Sequence, residues 1–133
     1  MRLVNRRFGN TFVRNCNAAY WQHRIPKRGT SPDDFLYPFK ICTWGGGDER
    51  ADPSVRACAI RELGEEVPLL ASYASDIIPK GVYMMYDKRK GVAWIVDIFQ
   101  LHVKSLEGLT ATEGRGVILP DKRVLGDAEF LFP

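Results

Sequence analysis

Glu62, Glu65 and Glu66 stand in the order Glu-x-x-Glu-Glu. On a helix, positions three and four apart share a face, so the three carboxylates project together. Nothing in folding asks for three like charges there. Their repulsion is mildly destabilising unless a cation sits among them. Carboxylates are hard oxygen ligands, and such a cluster suits Mg²⁺ or Mn²⁺, which would neutralise it and bridge to substrate phosphates. The plain alternative is a solvated acidic helix face, which is common.

The flanking sequence supplies the helix that would carry this cluster. Gly45-Gly46-Gly47 breaks regular structure, and Asp52-Pro53-Ser54 follows. Asp52 as N-cap with Pro53 at the first helical position is one good helix start, and Ser54 as N-cap is the other. Val55, Ala59, Ile60, Leu63 and Val67 form an apolar stripe at helical spacing, bordered by the three glutamates. Pro68 ends the helix or follows its cap.

The segment from Gly47 to Leu69 resembles the signature of the Nudix hydrolases: Gly, five residues, Glu, seven residues, then Arg-Glu-aliphatic-x-Glu-Glu-x-Gly-aliphatic. Arg61-Glu62-Leu63-Gly64-Glu65-Glu66-Val67-Pro68-Leu69 fits the second half, with Pro68 in place of the glycine. Pro53 stands where the solitary glutamate belongs, and Asp52 is one residue short of it. The resemblance implies an α/β/α sandwich with a mixed β-sheet. It also implies a divalent-metal-dependent pyrophosphohydrolase that cleaves a nucleoside diphosphate linked to another moiety. Glu62, Glu65 and Glu66 would then be metal ligands. Gly46 or Gly47 would lend a carbonyl where glycine permits close approach. Arg61 would hold the acidic cluster by charge-assisted hydrogen bonds. A loop glutamate placed as in the family, Glu113, would orient or deprotonate the attacking water. Glu65, Glu66, Arg61 and Glu113 are the expected catalytic residues. Glu107 and Asp52 are weaker choices of base.

Substrate recognition is thinner in the sequence. Trp44, directly before the glycines, would stack on a base, and Arg24 and Lys88 would reach phosphates. Against this, a strand aromatic is more often core, and Lys88-Arg89-Lys90 also suits a soluble hairpin tip. His23 and His102 stand apart from any Ser or Cys constellation and read as strand residues.

A chain of 133 residues with 45% apolar and 11% aromatic residues suits one globular domain, residues 1–133. Net charge is +3, too small to imply nucleic-acid binding by itself. The first 30 residues, however, hold Arg2, Arg6, Arg7, Arg14, Arg24, Lys27 and Arg28 and no Asp or Glu. Such a stretch favours a phosphate-rich ligand or RNA, and is the sole support for RNA 5′-end processing. Three cysteines without a Cys-x-x-Cys argue against a disulfide framework or zinc site. Cys58 reads as a small buried apolar residue. There is no apolar h-region at the N-terminus and no run long enough to span a membrane, so a cytoplasmic protein (host cytoplasm if viral) is expected. A homodimer is compatible with the sequence, as is a Nudix-fold nucleotide- or RNA-binding protein without turnover.

Strands are expected to surround the helix. Arg2–Phe8 and Thr11–Arg14 read as a hairpin about Gly9-Asn10. Ala18–Arg24 and residues 35–43 read as strands separated by a loop. Residues 77–86 and 92–103 read as two strands joined by a polar turn at 87–91, the second apolar on both faces and so central. Residues 107–115 read as a loop and 116–119 as a short strand. The tail, 121–133, has room for one helical turn or a short strand.

Overall fold

In a computed structural model of the chain, the described residues are 2–26, 29, 40–48, 51–88 and 90–120. They form seven strands and one α-helix: β1 (Arg2–Arg14), β2 (Ala18–His23), β3 (Ile41–Cys42), β4 (Trp44–Gly47), α1 (Val55–Glu66), β5 (Ile78–Asp87), β6 (Val92–His102) and β7 (Arg115–Pro120). Two short 3-10 turns, Pro68–Leu70 and Ala74–Asp76, join α1 to β5. No helix among the described residues is long and apolar enough to cross a membrane.

The sheet is mixed. Its path runs β3-β2-β1-β6-β5, with β4 also paired to β1 and β7 to β2. β1 and β6 are parallel and every other pairing is antiparallel. β6, the strand expected to be central, does lie between β1 and β5, and most of its residues are buried.

Two glycine signals change meaning in the fold. Gly9-Asn10, expected as a hairpin turn, lies inside the continuous strand β1. Gly9 pairs with Gly46 on one side and Asp97 on the other, so its backbone has ladder partners and no cause to turn. The glycine serves packing instead. A Cβ there would stand 2.7 Å from the Val55 carbonyl oxygen and 3.0 Å from the Ala59 nitrogen, so α1 could not settle onto the sheet. Gly45-Gly46-Gly47, expected to break regular structure, runs as strand β4 against β1 for the same reason.

Helix α1 begins at Ser54. The Ser54 hydroxyl accepts the Ala57 N–H at 3.0 Å, deciding between the two possible caps. The expected stripe faces the sheet: Ala59, Leu63 and Val67 are fully buried, and Val55 and Ile60 are partly so. They pack on Val13, Phe99 and Leu101 from β1 and β6. Pro68 stands just past the helix and opens the first 3-10 turn. Of the segment expected as a strand at 35–43, only 40–43 is described, and Ile41–Cys42 forms β3. The tail at 121–133 lies outside the described residues.

Candidate active site

Packing α1 across the Gly9–Gly46 row carries its second half over β4. Gly46 therefore lies directly under Glu62, and a Cβ at 46 would stand 2.8 Å from that carboxyl carbon. One turn on, Glu66 turns inward. Its side chain accepts the Gly45 N–H at 3.2 Å, and the residue is only 3% exposed. Glu65 points outward, its side chain 61% exposed. The Glu-x-x-Glu-Glu spacing thus yields a graded set: one carboxyl buried, one at the wall and one in solvent.

Burial pushes the Glu66 carboxyl up to about 9, and the charges of Glu62 and Glu113 push the same way, whereas the Gly45 N–H and Arg24 oppose them. Glu62 is also raised, first by burial; Arg61 and a hydrogen bond with Glu66 pull it back. Two neighbouring carboxyls, both raised by burial and hydrogen-bonded to each other, favour holding a proton between them.

Arg61 spans the cluster. Its Nε donates to Asp52 Oδ1 at 2.9 Å and its Nη2 to Asp52 Oδ2 at 2.8 Å. Its Nη1 donates to Glu62 Oε1 at 3.0 Å and to Glu65 Oε2 at 3.2 Å. These bonds hold the guanidinium charged, above even the usual arginine range, with Asp52 the main cause. Asp52, one residue short of the family's acidic position, meets Arg61 all the same. Pro53 lies between Asp52 and the Ser54 cap.

The donors suit a hard divalent cation: carboxylate oxygens at Glu62, Glu65 and Glu66, and Gly46 held against Glu62 where a Cβ would intrude. Among the described residues, no three His, Cys, Asp or Glu side chains converge as a finished cage. Glu62 and Glu65 are turned to Arg61, and Glu66 to Gly45.

Glu113 arrives on the loop between β6 and β7. Thr112 fixes that loop to α1, its N–H donating to the Glu66 carbonyl at 2.9 Å and its hydroxyl to the Glu65 carbonyl at 2.8 Å. The Glu113 charge consequently reaches Glu66. Arg24, just past β2, also acts on Glu66 and hydrogen-bonds the Cys42 side chain. Glu62, Glu65, Glu66, Arg61, Gly46, Glu113 and Arg24 therefore gather at one end of α1.

Trp44 and Lys88 do not join them as ligand contacts. Trp44 is fully buried, stacked on Tyr20 with ring centroids 5.1 Å apart, and its Nε1 donates to the Tyr20 carbonyl at 2.8 Å. It has no face to offer a base, because it opens a strand that packs under a helix and is drawn into the core. Lys88 follows β5 at the turn into β6. Through the Val82–Asp97–Gly9–Gly46 row it lies roughly 20 Å along the sheet from Gly46, at about 3.3 Å per residue. Arg7, from the basic N-terminal stretch, is paired with Asp97. Cys58 is buried as expected, its thiol donating to the Gly46 carbonyl at 3.4 Å and pushed by burial up to about 11.

Sequence reasoning missed Thr112 and Gln22. Gln22 is buried, donates from Nε2 to the Glu113 carbonyl at 3.2 Å and accepts from the Cys42 thiol at 3.4 Å. Its signal was present: it alternates with Tyr20 on the inward side of β2, where an apolar residue is the norm.

No family model matches the chain, and no curated protein does. Solved structures share its fold. A MutT/nudix family protein from Enterococcus faecalis aligns with a TM-score of 0.65 at 14% identity, over 86% of this chain and 43% of that one. This chain therefore spans less than half the length of that protein. The E. coli dihydroneopterin triphosphate pyrophosphohydrolase aligns at 0.62 and 13% identity, over 86% and 78% of the two chains. The NUDIX domain of Shewanella oneidensis NrtR, solved in complex with ADP ribose, aligns at 0.61 and 14%, over 90% and 73%. With the mixed sheet, the helix and the Arg61-Glu62…Glu65-Glu66 arrangement, these likenesses lead to one statement: the chain has the Nudix fold.

Proposed function

We propose that the protein is a divalent-metal-dependent pyrophosphohydrolase that cleaves the pyrophosphate link of a nucleoside diphosphate joined to another moiety. The observation that carries this reading is the pair Glu62–Glu66, two carboxyls raised first by burial and packed over glycines 45 and 46. An acidic helix face kept for solubility would leave its carboxylates in water, whereas here Glu66 is inside.

Glu62, Glu65 and Glu66, with the Gly46 carbonyl, would hold Mg²⁺ or Mn²⁺. Bound there, the ion supplies Lewis-acid polarisation of phosphoryl oxygens and a lowered pKa for its water. The chain's own residues do the rest. Arg61 keeps Glu62 and Glu65 from repelling each other and steers both. Glu113, held beside Glu66 by its loop, orients the attacking water or accepts its proton. Arg24 brings a positive charge to the same end of α1, where a substrate phosphate would meet it. Pyrophosphohydrolase and ADP-ribose-bound proteins among the solved structures of this fold support the substrate class.

The test is a panel of ADP-ribose, NDP-sugars, NAD, dinucleoside polyphosphates, nucleoside triphosphates and 5′-triphosphate or capped RNA. Each is incubated with wild type, Glu65→Gln and Glu66→Gln in Mg²⁺ or Mn²⁺. The expected result is nucleotide release from one class, abolished in both variants. Nucleotide-induced thermal stabilisation without product on any substrate would replace the hydrolase by a binding protein.

A further inference from the structure

We propose that Thr112 is a positioning residue for Glu113, clasping the last turn of α1 and setting where the Glu113 carboxylate stands relative to Glu66. The inference rests on the hydrolase reading above and adds a residue that its motif does not contain.

The last carbonyls of a helix have no partners within it and are ordinarily left to water or a cap. On α1, the carbonyls of Glu65 and Glu66 are both served by one residue of a distant loop. The Thr112 hydroxyl lies 2.8 Å from the first and 3.4 Å from the second, and its N–H donates to the second at 2.9 Å. These carbonyls belong to two of the residues whose side chains form the acidic site. The loop and the carboxyls are thereby fixed to the same turn.

The loop is tied on its other side as well. Leu106 is buried in the core, and the Tyr20 hydroxyl donates to the Leu109 carbonyl at 3.2 Å. Gln22 Nε2 donates to the Glu113 carbonyl at 3.2 Å. A Cβ on Gly114 would come 2.6 Å from the His23 carbonyl, so the chain lies flat against β2 directly after Glu113. Glu113 therefore sits between a bond to α1 and a bond to β2. Its backbone is located from both sides while its side chain keeps access to solvent.

Such placement matters because a general base must reach the water it activates, and a displacement of about 1 Å costs on the order of 10²-fold in rate. The hydroxyl is the part of Thr112 whose function is separable. The backbone N–H survives any substitution but proline, whereas the bond to Glu65 requires an O–H. Serine keeps it and valine, of the same shape, does not.

The experiment compares Thr112→Val and Thr112→Ser, each alone and combined with Glu113→Gln, in steady-state kinetics on the substrate found above. Thr112→Val is expected to lower kcat about tenfold with KM within about twofold. Thr112→Ser should keep wild-type kcat, and the valine effect should vanish once Glu113 is already Gln. A wild-type kcat in Thr112→Val, equal losses for Val and Ser, or a loss undiminished in the Glu113→Gln background would each overturn the proposal. Amide hydrogen exchange over residues 106–114 separates this from failure of the hydrolase reading. Faster exchange in Thr112→Val than in Thr112→Ser keeps the clasp even if no substrate is turned over, and equal exchange in the two removes it.

Discussion

Arg61 grips Asp52 through two parallel hydrogen bonds, Nε to Oδ1 at 2.9 Å and Nη2 to Oδ2 at 2.8 Å. The Asp52 side chain is only 6% exposed, and the Arg61 guanidinium compensates its charge there. Asp52→Asn should cost about 2 kcal/mol, the range for a charge-assisted bond with a desolvated partner. Arg61→Lys should do similar harm, because an ammonium cannot match the fork geometry. Urea denaturation of both variants checks this; unfolding midpoints equal to wild type would show that the pair is not needed to anchor α1.

Glu66 ties stability to pH. Its folded pKa, about 9, lies above its unfolded value of 4.5, so the fold prefers the neutral acid. Its stabilising contribution is complete below about pH 4.5 and is lost as pH rises toward 9. In EDTA, the wild-type protein should therefore lose stability between pH 5 and 9 (about the window between the two values) relative to Glu66→Gln, which has no such proton to give up. Saturating Mg²⁺ or Mn²⁺ should flatten the wild-type curve, since the ion takes the proton's place. Parallel curves for the two proteins in EDTA would refute the shift.

Gly46 and Gly9 are both glycines of close approach, but their neighbours differ in kind. A Cβ at Gly46 meets the end of the flexible Glu62 side chain; one at Gly9 meets the backbone of α1. Gly46→Ala should keep the fold and weaken Mn²⁺ binding roughly tenfold, by displacing Glu62. Gly9→Ala should lower stability by about 2 kcal/mol or more, because a whole helix must shift. Isothermal titration and thermal melts read the two effects; a swap of phenotypes would overturn the assignment.

Trp44 tests whether the aromatic before the glycines belongs to ligand or core. With its ring stacked on Tyr20 and its indole N–H bonded to the Tyr20 carbonyl, Trp44→Phe should cost about 1–3 kcal/mol and leave KM unchanged. A raised KM at unchanged stability would return it to the binding site.

Thr11 makes an independent check on the core. Its hydroxyl oxygen is fully buried, without a hydrogen-bond partner among the described residues. Thr11→Val should leave stability equal or raise it by about 1 kcal/mol, since it removes an unsatisfied group at constant shape. A clear loss in urea denaturation would reveal a buried water on that oxygen.

The acidic site was legible because its determinants are local. Spacing alone places Glu62, Glu65 and Glu66 on one helical face, and the apolar stripe of Ala59, Leu63 and Val67 says which side turns inward. Both follow from 3.6 residues per turn. The strands from 78 to 102 were legible for a like reason, two strand-forming runs on either side of a polar turn.

Contacts between elements decided the rest. Gly9 reads as a turn in isolation and is a strand residue because β4, β6 and α1 all converge on it. Trp44 reads as a base platform and is core because α1 covers β4. Which of three equivalent glutamates is buried, that Asp52 meets Arg61, and that Thr112 meets the carbonyls of Glu65 and Glu66 all depend on how α1 lies on the sheet. The sequence determined the periodicities, the cap and the charge cluster, because these are properties of neighbouring residues. Tertiary structure alone decided desolvation and long-range partnership, because burial is set by what packs on a residue from elsewhere in the chain.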